Sequence, residues 1–290
     1  MSDHKRRLST GEVHPEEVYE DYRSKLERYV DENAEEKEFS RFIHRVVASW
    51  RKLEGIQPSE ALAYGRRVEL PACALVPVRN SIIFDQLAAH LSPSRPTRVV
   101  ELGCGVGHNL FLFYLSGRPG PHVSYVGLDI TSAAVRLATR VRDLFQLEHF
   151  DFRQHDMRSG DIALDWFDGD TLFYTAHAIE QVPQIDRSLI ESMLAVSSRV
   201  SCVHFEPVGF QLETDSRHGE VGATREYANC VRHNTNLIST LNKVAEDGIL
   251  EITGVERDLY GHKISNGLSV VSWSKVSENG RGSRRRAAGE

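Results

Sequence analysis

The sequence predicts an α/β fold: a mostly parallel sheet of seven strands ending in an antiparallel hairpin, covered by helices and preceded by a helical cap. Three observations carry this reading. Strand-like runs alternate with amphipathic helical stretches through the middle of the chain, the pattern of a parallel sheet clothed on both faces. A glycine-rich turn, "GCGVG" (103–107), directly follows the first of these runs. Two closing strand-like runs are joined so closely that they must pair antiparallel.

Before that alternation, residues 15–64 read as helices. They are charged throughout, with apolar residues at helical spacing: Val18, Tyr22, Leu26 and Val30, then Phe39, Phe42, Ile43, Val46, Val47 and Trp50. The stretch "PACALVPVRNS" (71–81) interrupts with two prolines, and "SIIFDQLAAHL" (81–91) resumes as a helix. Residues 1–90 are therefore expected to form an N-terminal helical segment acting as a lid. The strand candidates follow: "RVVEL" (98–102), "VSYVGLD" (123–129), "HFDFRQHD" (149–156), "DTLFYT" (170–175) and "RVSCVHFE" (199–206). Between them lie helical signals such as "TSAAVRLATRVRDLF" (131–145) and "QIDRSLIESMLAVSS" (184–198). The closing pair is "GILEITGVERDLYG" (248–261) and "GLSVVSWSK" (267–275). The main domain is thus expected over 91–275, with a longer connection at 209–237 as a substrate insertion and a disordered basic tail over 276–290.

Composition excludes several classes. The 290 residues carry a formal charge of −6, against the basic footprint of a nucleic-acid binder. Cys73, Cys104, Cys202 and Cys230 are scattered without paired spacing, the usage of a reduced, cytoplasmic protein. No apolar run approaches the roughly 20 residues of a membrane span, and the start lacks a signal peptide's apolar stretch. A small-molecule substrate is expected, with no nucleic acid, no membrane and no metal; a homodimer is compatible with everything above.

The glycines raise the functional question. Glycine is costly unless the backbone needs positive φ or another molecule must come close. Gly103, Gly105 and Gly107 lie beyond the carboxyl end of a strand and at the start of a helix. In an open parallel sheet that is where ligands bind. A dinucleotide fingerprint wants G-x-G-x-x-G; here the third glycine is one residue early and position 108 is His. Glu101, two residues before the first glycine, could receive hydrogen bonds from a cationic or amino-bearing ligand. Asp129 ends the second strand, where it could hold ribose hydroxyls or merely cap the next helix. "HDM" ends the third strand, placing Asp156 and Met157 beside an adenine.

Taken together, "VVELGCGVG", "YVGLDIT", "QHDM" and "DTLFYTAHAIEQV" resemble the successive motifs of class I S-adenosylmethionine-dependent methyltransferases, in order, from about residue 97 to 210. The resemblance implies a Rossmann-like sheet and S-adenosyl-L-methionine as cofactor. It places Glu101, Gly103, Gly105 and Gly107 around the methionyl part, Asp129 at the ribose, Asp156 and Met157 at the adenine, and Thr175 with Ala176 at the sulfonium. Glu180 stands where the family often has Glu-His, but Gln181 replaces the histidine. A methyltransferase-like scaffold without chemistry and a nicotinamide oxidoreductase are the rival readings, the second opposed by the glycine spacing.

Methyl transfer chiefly requires a nucleophile held close and in line, with a base only where the acceptor must lose a proton. Candidates lie at the ends of the fourth and fifth strands. His177 is the leading base or orienting residue, and Glu206 is a second candidate that could equally anchor the following loop. His204 shares Glu206's strand face. With Glu180 and Tyr22, it is a candidate substrate contact. The expected acceptor is a small polar metabolite, an amino acid or natural-product intermediate, with the acidic candidates tilting the reading toward N-methylation.

Overall fold

The computed structural model describes residues 27–28, 30–51, 58–64, 66–212, 225–230, 232–261 and 267–277. Helix α1 (Phe39–Arg51) leads into a hairpin of β1 (Pro58–Ala63) and β2 (Arg66–Pro71), then α2 (Leu75–Ala88). The alternating part runs β3 (Thr97–Leu102), α3 (His108–Leu115), β4 (Val123–Asp129), α4 (Ser132–Leu144), β5 (Phe150–Gln154), β6 (Phe167–Ala176), α5 (Arg187–Ala195) and β7 (Ser197–Glu206). It closes with α6 (Arg225–Cys230), α7 (Leu237–Glu246), β8 (Leu250–Gly261) and β9 (Leu268–Lys275).

The described strands join one sheet in the order β2-β1-β8-β9-β7-β6-β3-β4-β5. The pairs β3·β4, β3·β6, β4·β5 and β6·β7 are parallel, while β9 runs antiparallel to both β7 and β8. The predicted parallel sheet with its reversed closing pair is therefore present. Two points of the sequence reading need correction. Among the described residues the sheet has nine strands rather than seven, and Pro58–Ala63 and Arg66–Pro71 are strands rather than part of a helical segment. "PSEALA" offers little strand propensity of its own. It is held extended by pairing with β2 and by the contact of Leu62 and Ala63 with β8, which buries Ala61 and Leu62. Helix α2 also begins earlier than expected, at Leu75. Pro77 falls in its first turn, where a missing N–H breaks no intrahelical bond.

Adjacent residues of each parallel strand feed opposite cores, as the strand period of two requires. Val99, Tyr125, Phe152, Tyr174 and Phe205 face one cluster with Phe111 of α3 and Phe42 of α1. Val100, Val126, Phe173, Cys202 and Trp273 face the other, beneath α5 and α7. The ring of Phe39 meets Phe111 edge-on at 5.5 Å and Phe145 at 5.0 Å, so α1 packs into the first core. Among the described residues no helix is long and apolar enough to cross a membrane.

Register then positions the site. Leu102 lies beside both Leu128 and Thr175, and Ala176 beside Phe205. The strands β3, β4, β6 and β7 therefore end level with one another. The chain leaves β3 toward β4 on one side, then returns to place β6 on the other, which makes their carboxyl ends the switch-point crevice.

Candidate active site

The glycine turn is pinned from below and shaped by its neighbours. Gly103 N and Cys104 N both donate to Leu128 O, at 2.7 and 3.0 Å. Gly103, Gly105 and Gly107 take φ of 75°, 55° and 76°, the left-handed region that favours glycine. They differ in what surrounds them. A side chain at Gly103 would collide with the Ala178 methyl, and one at Gly107 would come within 2.8 Å of the Phe152 ring. At Gly105 a side chain would meet nothing within 4 Å. Two glycines therefore admit protein packing, and the middle one faces open space where a ligand can press against the backbone.

Beneath this turn Glu101 is fully buried on β3. Its Oε1 accepts from Asn109 Nδ2 at 2.7 Å, and Asn109 Oδ1 accepts from the buried Arg79 guanidinium at 3.0 Å. Glu101 Oε2 has no hydrogen-bond partner among the described residues. Burial pushes the carboxyl up to about 8, against the opposing pull of Asn109, the facing Tyr174 hydroxyl and Arg79. A buried polar atom left unpaired is costly, and the buried Tyr174 hydroxyl faces this carboxyl. Arg79, Asn109 and Tyr174 were missed by sequence reasoning. Asn109 follows Glu101 closely enough to have been considered, but nothing in the local pattern of α2 marks Arg79.

Asp129, at the end of β4, is buried and already engaged. Its Oδ2 accepts from Gly105 N at 2.8 Å, and its Oδ1 accepts from Thr131 N at 2.9 Å and from the Thr131 hydroxyl. It thus ties the glycine turn to the start of α4. Asp156 caps a short turn over Met157–Ser159, and the hydrogen-bonded Arg158 guanidinium holds its carboxyl below the usual carboxylate range. The Met157 methyl lies near Gly103, 3.7 Å from where a β-carbon would stand.

The loop after β6 completes the site. His177 has φ 57°, and its Nδ1 meets Glu180 Oε2 at 3.2 Å. Because an ionised carboxylate only accepts, Nδ1 is the donor in that contact when Glu180 is ionised. Glu206, fully buried, takes N–H donors from Ala178 at 3.0 Å, Ile179 at 3.1 Å and Glu180 at 3.1 Å. Burial, with Glu180 alongside, pushes Glu206 up to about 7, while His177 pulls it down. His204 is also fully buried: Nδ1 meets Thr175 Oγ1 at 3.1 Å, and Nε2 accepts from Trp273 Nε1 at 3.0 Å. Burial lowers it to about 3.

The structure therefore brings Glu101, the three glycines, Asp129, Met157, Ala176, His177, Glu180 and Glu206 to the carboxyl ends of neighbouring strands and the loops that follow them. It departs from three expectations. The His204 ring is enclosed between strands with both nitrogens engaged, so it is not placed to touch substrate. The Thr175 side chain is fully buried against His204 and faces away from open space. Glu206 spends its carboxylate on main-chain donors, the anchoring alternative of the sequence reading. Tyr22 and residues 213–224 of the insertion lie outside the described residues. Among the described residues no group of three or more His, Cys, Asp or Glu could hold a metal ion.

A mixed sheet with its glycine turn at the switch point, a buried carboxyl beneath it and an acidic residue closing β4 is the arrangement of a Rossmann-like fold. The chain belongs to the class I S-adenosylmethionine-dependent methyltransferases: the sequence profile of the family described as "Methyltransferase domain" matches residues 93–254. Solved structures similar to it include a SAM-dependent methyltransferase from Aquifex aeolicus (14% identity, TM-score 0.44, covering 69% of this chain and 98% of that one). Another is geranyl diphosphate C-methyltransferase from Streptomyces coelicolor A3(2), in complex with Mg2+, geranyl diphosphate and S-adenosyl-L-homocysteine (14%, TM-score 0.49, 70% and 83%). A third is magnesium protoporphyrin IX methyltransferase from Synechocystis PCC 6803 with bound SAM (13%, TM-score 0.44, 70% and 81%). No curated protein matches the chain.

Proposed function

We propose that this methyltransferase acts on a small polar molecule, with nitrogen as the preferred acceptor. The observation that carries the reading is the His177–Glu180 pair, held at the end of β6 within reach of the glycine turn. S-adenosylmethionine supplies an electrophilic methyl on positively charged sulfur. Residues of this chain fit that cofactor: Glu101 Oε2 can accept from its ammonium, Gly105 leaves room for close approach, and Asp129 can share its carboxylate with the ribose. Asp156 and Met157 would border the adenine, while the backbone at Thr175 and Ala176 would border the sulfur.

The acceptor side follows from charge. An amine arrives at neutral pH as a cation, and Glu180 beside His177 favours a positive group there. To become a nucleophile the amine must release a proton, which His177 Nε2 can take while Glu180 holds Nδ1–H. Positioned proton transfer of this kind typically contributes about 10²- to 10⁴-fold. Glu206 positions the turn and does not itself react in this reading.

The test is a mass-resolved screen of amines, guanidines, hydroxy acids and phenols incubated with S-adenosylmethionine. Gain of one methyl on a nitrogen compound supports the proposal, and exclusive methylation of oxygen or carbon sinks the nitrogen preference. Asp129→Ala checks the cofactor half by calorimetry with S-adenosylhomocysteine. The affinity should fall about tenfold or more, as loss of charge-assisted hydrogen bonds predicts; an unchanged value would confine Asp129 to tying the glycine turn to α4.

A further inference from the structure

We propose that β2 is the interface of a symmetric homodimer: two copies of this chain pair antiparallel along it, centred on Val68, so that Arg67 of each meets Glu69 of the other. β2 lies at one end of the sheet, with β1 on its inner side and no strand beyond it among the described residues. An edge strand directs a row of main-chain N–H and C=O groups away from its neighbour, a template for another strand. Along "RRVELP" Arg66, Arg67, Glu69 and Pro71 are exposed, with Val68 and Leu70 half-buried. The opposite edge, β5, differs. Its Asp151 and Arg153 satisfy each other at 2.6 Å, and Arg153 also donates to Ala163 O at 3.3 Å. On β2 the charges are not settled within the chain. Register sets Glu69 directly opposite Glu60 of β1, and like charges so placed repel. Arg67 reaches Glu60 at 3.4 Å, which leaves Glu69 without an ion pair among the described residues.

Charges on an edge often serve to block pairing, but their order here selects one register. In an antiparallel pair, residues opposite each other lie on the same face of the sheet. A two-fold dimer uses the same strand from both copies, so its axis must pass at a residue of β2. At Arg66, Arg67 or Glu69 the axis would set two like charges opposite each other, and at Leu70 the overlap is short. At Val68 it sets Arg67 opposite Glu69 twice, Arg66 opposite Leu70, and Val68 opposite itself. One face then reads Glu60, Glu69 and Arg67 of the second copy in a row. A cation thus arrives where two carboxylates oppose one another. Tyr64, 72% exposed at the hairpin tip, comes beside the exposed Pro71 of the second copy, which adds apolar contact at each end.

The test is sedimentation equilibrium of the full chain. A single strand pair is a small interface, so reversible dimers are expected with a dissociation constant on the order of 10–100 µM. High salt should weaken them, because the paired charges are exposed. Arg67→Glu and Glu69→Arg replace exposed side chains and leave the core intact. Each sets like charges opposite one another twice and should weaken self-association about tenfold or more. Their equimolar mixture is the decisive sample. A chain with Glu at 67 and 69 facing one with Arg at both restores two opposite-charge pairs, so the mixture should dimerise within about threefold of wild type. A wild-type chain still monomeric at roughly 500 µM leaves the edge to another occupant and overturns the proposal. Self-association as strong as wild type in either single variant also overturns it. So does a mixture that associates no more tightly than its components, since Arg67 and Glu69 would then not face each other.

Discussion

His177 occupies left-handed backbone, φ 57°, which costs a non-glycine residue of order 1–3 kcal/mol and persists only where its surroundings hold it. Here they do: His177 N donates to Phe205 O at 3.1 Å and Gln181 Nε2 donates to His177 O at 3.1 Å. Asparagine tolerates this region, so His177→Asn removes the imidazole while sparing the backbone. We expect turnover to fall at least about tenfold with S-adenosylhomocysteine affinity within a few-fold. Affinity falling in step with turnover would make His177 a packing residue. At Glu101 the expectation is a proton. Its carboxyl, pushed up to about 8, is mostly protonated at neutral pH and must ionise to pair with an ammonium group. Cofactor binding should then release a proton below pH 8, and affinity should rise as pH climbs toward 8. Calorimetry in buffers of different ionisation enthalpy counts that proton, which Glu101→Gln should abolish along with about tenfold or more of the affinity.

At the scale of elements, the described N-terminal elements are part of the packed core. Phe42 and Ile43 of α1 and Ala61 and Leu62 of β1 are buried, and β1 joins the sheet through β8. Phe42→Ala should lower stability by about 3–5 kcal/mol, as for other large-to-small core changes, read as a drop in urea midpoint at constant slope. A change under about 1 kcal/mol would restore α1 to the role of a detachable lid. The described ends of the 209–237 insertion are fastened to the loop beyond Glu180. Asn234 N donates to Glu180 O at 2.9 Å and its side chain to Val182 O at 2.8 Å, while Asn236 Oδ1 accepts from Ile185 N at 2.9 Å. Whatever the insertion contacts, its anchor is the same loop that carries the His177–Glu180 pair.

For the whole molecule, buried ionisable groups set the pH range of stability. Glu101 and Glu206, raised to about 8 and about 7, contribute stability that is complete below the unfolded carboxylate range and lost as pH rises through those values. His204, lowered to about 3, contributes stability present above the unfolded histidine value and lost as pH falls. From these three groups the ligand-free protein should therefore be most stable near about pH 4–5 and weaken toward pH 8. S-adenosylhomocysteine raises the melting temperature by mass action, and most strongly toward pH 8, where it finds Glu101 ionised. Melting curves across pH 5–9, with and without ligand, check this; a ligand shift that shrinks toward pH 8 would contradict the assigned role of Glu101.

The sequence by itself determined the cofactor half of this protein. Glycines at every second position, a strand ending in Asp129 and the alternation of strand and helix are local features, set by backbone conformation and by side-chain period, and they survive without knowledge of distant partners. The tertiary structure alone decided the rest. "PSEALA" became a strand because β2 pairs with it along its length and β8, far along the chain, meets Leu62 and Ala63. Arg79 entered the site because α2 packs beside α3, letting Asn109 bridge it to Glu101. His204 and Glu206 look alike in sequence, two polar residues on one strand face near its end. Burial separated them: one ring is enclosed between Trp273 and Thr175, and one carboxylate is spent on the turn that carries His177. Hydrogen-bond partners of this kind are chosen by proximity in space, and a chain read in order shows only proximity in sequence.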